Sequence, residues 1–125
     1  MNLLEETNRV LSDNGKVIRD IRWVGTQTEE VPIDDFLVVA AGTEYNNGFG
    51  AAKIAVDLLI VGDDWWMERH EYDGSEWWEY KEKPARPTAI FFPNKLVLQT
   101  PRTGWETLRE VNTQGEKKIS NELSM

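Results

Sequence analysis

With 125 residues, 40% hydrophobic and 29% charged, the chain suits one globular domain with a modest core and is too apolar for intrinsic disorder. Its formal charge of −8, from 22 acidic and 14 basic residues, excludes a general field that would hold nucleic acid or an anionic membrane, and it favours a basic partner. The absence of cysteine removes disulfides, thiolate catalysis and Cys-type zinc sites, and it fits a reducing cytoplasm.

The opening MNLLEETNRV carries acids where a secretory signal needs positive charge. The longest apolar run, Phe36–Ala41, is too short to span a bilayer. Leu3, Leu4, Val10 and Leu11 recur at helical spacing, and Asp13-Asn14-Gly15 ends that helix with a glycine cap or turn. Val17–Thr26 is β-branched and aromatic and reads as a strand, with Val17, Arg19, Ile21 and Trp23 on one face. The alternation is imperfect, because Ile18 and Val24 share their face with charges. Gln27–Glu30 reads as a loop.

Periodicity leaves Phe36–Thr43 open between helix and strand; the Asp34-Asp35 pair at its start favours a helix. Tyr45–Gly50 is a turn by its Asn-Gly step and second glycine, and it lacks the lysine–serine pair of a phosphate loop. Ala51–Val61 is apolar on nearly both faces, the pattern of a central strand.

Asp63–Lys83 (DDWWMERHEYDGSEWWEYKEK) holds four of the six tryptophans and reads as a hairpin with Asp73-Gly74 at the bend. A two-residue turn pairs Tyr72 with Ser75, His70 with Trp77 and Glu68 with Glu79, setting like charges opposite each other. A four-residue loop pairs Tyr72 with Trp77 and His70 with Glu79 instead. Both registers keep the same faces. Trp65, Met67, Arg69, Glu71, Trp78 and Tyr80 form the core side, and Trp66, Glu68, His70, Tyr72, Trp77, Glu79 and Lys81 form the display side.

Lys83–Pro87, with two prolines, reads as a linker or sheet edge. Thr88–Phe92 and Lys95–Thr100 read as short extended segments, Pro101–Gly104 as a turn and Trp105–Val111 as a short helix. The fold class that follows is α+β: an antiparallel sheet of about four or five strands with one or two helices on one face. A single domain over 1–112 and a polar, frayed tail over 113–125 complete the reading.

Catalysis finds little support. The acids have no privileged pair for glycoside cleavage, and His70, the single histidine, has no nucleophile beside it in sequence and sits closer to a cross-strand surface pair with Glu79. No catalytic residue, metal ligand or cofactor is assigned. The hairpin itself carries eight acidic and three basic residues, so its carboxylates can imitate phosphates toward a basic groove. The candidate partner-binding residues are Trp66, Glu68, His70, Glu71, Tyr72, Asp73, Trp77 and Glu79.

The stretch from Asp34 to Lys83, with its YNNGFG loop, its IVGDDWW turn and its ERHEYDGSEWWEY hairpin, resembles small uncharacterised proteins encoded by phages and prophages of Gram-positive bacteria. The resemblance implies an accessory protein in the cytoplasm of a bacterial host. It further implies action by binding and inhibiting host machinery, such as a CRISPR effector or another nuclease, and the acidity of the chain adds that such a partner has a basic surface. The acidity of the chain, not the resemblance, argues against direct contact with nucleic acid or membrane. A glycan-binding or glycan-cleaving module using Trp66 and Trp77, and a small virion assembly protein, are the alternatives.

Overall fold

Asn2 opens the first helix: its side chain accepts the Glu5 N–H, and Glu5 and Glu6 follow in the first turn, where carboxylates favour the helix dipole. The helix, α1, spans Leu3–Asp13 and buries Leu3, Thr7 and Leu11. The chain is described here by a computed structural model over residues 1–97 and 104–113. Its contacts divide it into two units, Met1–Pro84 and Ala85–Met125. The division falls inside Lys83–Pro87, the proline-bearing stretch.

The first unit is α+β. Strands β1 (Trp23–Gly25), β2 (Glu30–Val31), β3 (Leu59–Val61), β4 (Trp65–Tyr72) and β5 (Ser75–Glu82) form one antiparallel sheet in the order β2-β1-β3-β4-β5. Helices α1 and α2 (Ile33–Ala41) pack against it. Val24, Ile60 and Met67 lie side by side across β1, β3 and β4, and each is fully buried. Complete burial of an aliphatic side chain contributes about 1.5–3 kcal/mol, so this row anchors the sheet. Trp65 and Trp78 extend the core, and the Trp78 indole donates to Thr7 Oγ1 of α1 at 2.9 Å.

The helix favoured for Phe36–Thr43 is present as α2; Asp34 and Asp35 stand in its first turn and it buries Phe36 and Ala40. The strand expected over Val17–Thr26 is shorter. Ile18–Asp20 forms a 3-10 turn closed by the Val17 N–H on the Asp20 carboxylate at 2.9 Å, and pairing begins only at Trp23. The short strand also settles the side that the imperfect alternation left open: Val24, not Trp23, enters the core. The expected loop at Gln27–Glu30 is a tight return in which Thr26 Oγ1 accepts the N–H groups of Thr28 and Glu29, and Glu30 already belongs to β2.

The long strand expected over Ala51–Val61 is the largest correction. Only Leu59–Val61 pairs, although it is central as expected. The reason lies in the backbone donors. The N–H groups of Lys53 and Ile54 bond the Glu76 carboxylate at 2.6 and 3.3 Å, not a neighbouring strand, and Val56 is largely exposed.

The hairpin follows the two-residue register, with Tyr72 opposite Ser75 and Glu68 opposite Glu79. Asp73 and Gly74 have φ of 51° and 85°, the paired left-handed conformation of the tightest hairpin turn. At the other end of β4, Gly62 is required by space: a Cβ there would stand 2.1 Å from the Trp65 ring.

The second unit forms no strand among its described residues, and Thr88–Phe92 joins no sheet. Residues 98–103 and 114–125, which include the rest of Lys95–Thr100, most of Pro101–Gly104 and the tail from 114, lie outside the described residues. A helix, α3, occupies 108–113, later than the Trp105–Val111 expected. Thr107 and Glu110 cap it reciprocally: the Glu110 N–H bonds Thr107 Oγ1 and the Thr107 N–H bonds the Glu110 carboxylate, both at 3.2 Å. Asn112, which is buried, accepts the N–H groups of Asn94 and Lys95 and donates to the carbonyls of Lys95 and Leu108. The Arg109 guanidinium lies 4.6 Å from the Phe91 ring centre.

Candidate functional site

Strand alternation gives the sheet of the first unit two different faces. The helices cover the face of Val24, Ile60 and Met67. The opposite face carries no helix of this unit. Its rows run across the strands: Trp23, Val61, Trp66 and Lys81; then Leu59, Glu68 and Glu79; then His70 and Trp77; then Tyr72. Trp23, Trp66, His70 and Trp77 are half-buried, and Tyr72 is exposed at 78%.

This face is wired along each strand. Trp66 Nε1 donates to Glu68 Oε1 at 2.6 Å, and Trp77 Nε1 donates to Glu79 Oε2 at 2.7 Å. The His70 ring sits 2.9 Å from Glu68 Oε2, and Lys81 Nζ approaches Glu68 Oε1 at 3.7 Å. Residues two apart on a strand share a face, so an aromatic-x-Glu step places an indole N–H on the following carboxylate. The Trp66 N–H, then His70, then Lys81 hold the Glu68 carboxyl below its usual range. These donors explain how Glu68 and Glu79 tolerate standing opposite each other. They also correct the expected His70–Glu79 pair: His70 faces Trp77 across the strands, with ring centres 6.5 Å apart, and takes Glu68 as its partner.

Beneath the other face lies a buried ionic cluster. The Arg69 side chain is 3% exposed, Glu6 of α1 is 2% and Glu76 of β5 is 5%. Arg69 Nη2 bonds Glu76 Oε2 at 2.9 Å and the Tyr45 hydroxyl at 3.1 Å, while Nη1 reaches both Glu6 oxygens at 3.4 Å. The Tyr45 hydroxyl donates to Glu6, and the guanidinium lies 4.9 Å from the Trp78 ring centre. Burial pushes the Glu76 carboxyl up, but the Lys53 N–H, Arg69 and the Ile54 N–H outweigh it and hold the carboxyl below its usual range. Burial, reinforced by the bond to Glu6, pushes the Tyr45 hydroxyl up to about 12. The cluster ties α1, the Tyr45 loop, the 53–54 backbone and both hairpin strands together. It fixes the platform on which the opposite face is displayed.

The candidate set therefore divides. Trp66, Glu68, His70, Tyr72, Trp77 and Glu79 share one face. Glu71 pairs with Glu76 on the helix side and is exposed there, and Asp73 is an exposed turn residue. Trp23, Leu59 and Val61 join the face and escaped the sequence reading. The signal for Trp23 was the imperfect alternation of its strand, which left its side undecided. No family model matches the chain, and neither a curated protein nor a solved structure is detectably similar to it. Among the described residues, no helix is long and apolar enough to cross a membrane.

Proposed function

We propose that this is a non-enzymatic binding protein that uses the face of its sheet opposite α1 and α2 to occupy a basic, nucleic-acid-handling host protein. It acts as a phage-type inhibitor of the anti-CRISPR kind. The observation that carries this reading is the interleaving of aromatics and carboxylates on that face, with each carboxylate tethered by an indole N–H. Tethered carboxylates hold a fixed charge pattern, as phosphates do, and half-buried aromatics supply the contact energy that charge alone does not. The unit around this face has 18 acidic against 8 basic residues over Met1–Pro84, which steers a basic partner toward it.

The test begins with affinity capture from a bacterial lysate, followed by a nucleic-acid-binding assay on the captured protein. The expected result is one retained basic protein whose nucleic-acid binding falls as this protein is added, with Glu68→Lys and Glu79→Lys each weakening capture. Capture that is indifferent to both reversals and to salt sinks the proposal.

A further inference from the structure

A groove of about 750 Å³ opens on the same face, and its chemistry is more specific than that of the face as a whole. Leu59 and Val61 give it an apolar side, Trp66 an aromatic wall, Asp57 and Glu68 two carboxylates, and Gln27 an amide. Arg69, the one basic residue on its lining among those described, has its guanidinium committed to Glu6, Glu76 and Tyr45 on the other side of the sheet. The groove therefore presents no available cation of its own.

Its two carboxylates differ. Glu68 is already engaged by Trp66, His70 and Lys81. Asp57 is exposed, and no ion pair among the described residues engages it. The Trp66 indole is held in place by its own N–H bond, so its ring is a fixed surface in the groove that Asp57 also lines. A fixed aromatic surface, an apolar side and an unpaired carboxylate suit a flat cation that is weakly hydrated. Guanidinium has these properties and the compact, strongly hydrated ammonium of lysine does not.

We infer that this groove receives an arginine side chain from a basic segment of the bound protein, stacked on Trp66 and paired with Asp57. The inference rests on the proposed function and names the contact that selects the partner. Its test uses oligo-arginine and oligo-lysine peptides of equal length at one ionic strength, followed by NMR of the tryptophan indole N–H signals. Oligo-arginine is expected to bind roughly tenfold tighter than oligo-lysine and to shift the Trp66 signal most. Asp57→Asn and Trp66→Leu should each bring the two peptides close to equal affinity. Asp57 is an exposed loop residue, so its variant keeps the test decisive if Trp66→Leu fails to fold.

Equal affinity for the two peptides with the Trp66 signal unmoved overturns the inference and leaves the wider reading to its charge-reversal test. Binding of neither peptide overturns it as well; the wider reading falls only if capture from lysate also fails to depend on Glu68 and Glu79.

Discussion

Replacing Arg69 with methionine should strongly destabilise the first unit, although Arg69 is a charged residue in a hairpin. The guanidinium sits between two carboxylates that are 2% and 5% exposed, and it is the cation facing both. Removing one partner of a buried ion pair costs about 3–5 kcal/mol, because the remaining charges stay desolvated. Here two carboxylates are orphaned, the Tyr45 hydroxyl loses a donor and the Trp78 face loses its cation. A domain of this size has about 5–15 kcal/mol in total, and each kcal/mol moves its midpoint by roughly 4–8 °C. The midpoint should therefore fall by at least 12 °C or so. Thermal unfolding followed by tryptophan fluorescence measures the midpoint, and urea unfolding the free-energy loss, since Trp65 and Trp78 are core residues. Adding Glu6→Gln to Arg69→Met should recover part of the loss by neutralising one orphan. A loss under about 1 kcal/mol for Arg69→Met, in the range of an exposed pair, would refute the assignment of this cluster as the clamp of the hairpin.

The remaining predictions concern pH, backbone and ligand. Glu68 and Glu76 titrate below their unfolded values of about 4.3, so the stability they contribute is complete above that value and is lost as pH falls through their native values. Acid titration of Glu76→Gln should show a shallower loss than the parent. Tyr45 and Tyr80, both pushed up to about 12, hold their protons more tightly folded than unfolded; stability should decline from pH about 10 towards 12, with phenolate absorbance appearing late. Gly74→Ala should cost about 1–2 kcal/mol for its left-handed turn position, and Gly62→Ala more, because its Cβ collides with the buried Trp65 ring. Neutral oligosaccharides should leave tryptophan fluorescence unchanged; a saturable shift would favour the glycan-binding alternative.

The hairpin was legible because alternation and a turn dipeptide specify faces and register together. Asp73-Gly74 decided the register against the unfavourable Glu68–Glu79 pairing, and the indole N–H groups that offset this pairing appear only once side chains are placed. The same limit explains Ala51–Val61. Its apolar pattern suits a strand, but Glu76, which entered the sequence reading only in the count of hairpin acids, takes the backbone donors that the strand would need. Arg69 was placed correctly on the core side, yet nothing local indicates that Glu6, 63 residues away, would meet it. Long-range ionic partners leave no periodic trace. The display face was read from the hairpin alone, and β1 and β3 enlarged it with Trp23, Leu59 and Val61 once strand order was known.

The central claim is that this face competes with nucleic acid for a basic host protein. It is tested most directly by measuring nucleic-acid binding of the captured protein in the presence of the parent chain and of a Glu68→Lys/Glu79→Lys variant. The account predicts displacement by the parent and little or none by the variant, with displacement by the parent weakening as salt is raised. Equal displacement by both chains, or full retention of nucleic acid at saturating parent protein, would contradict it.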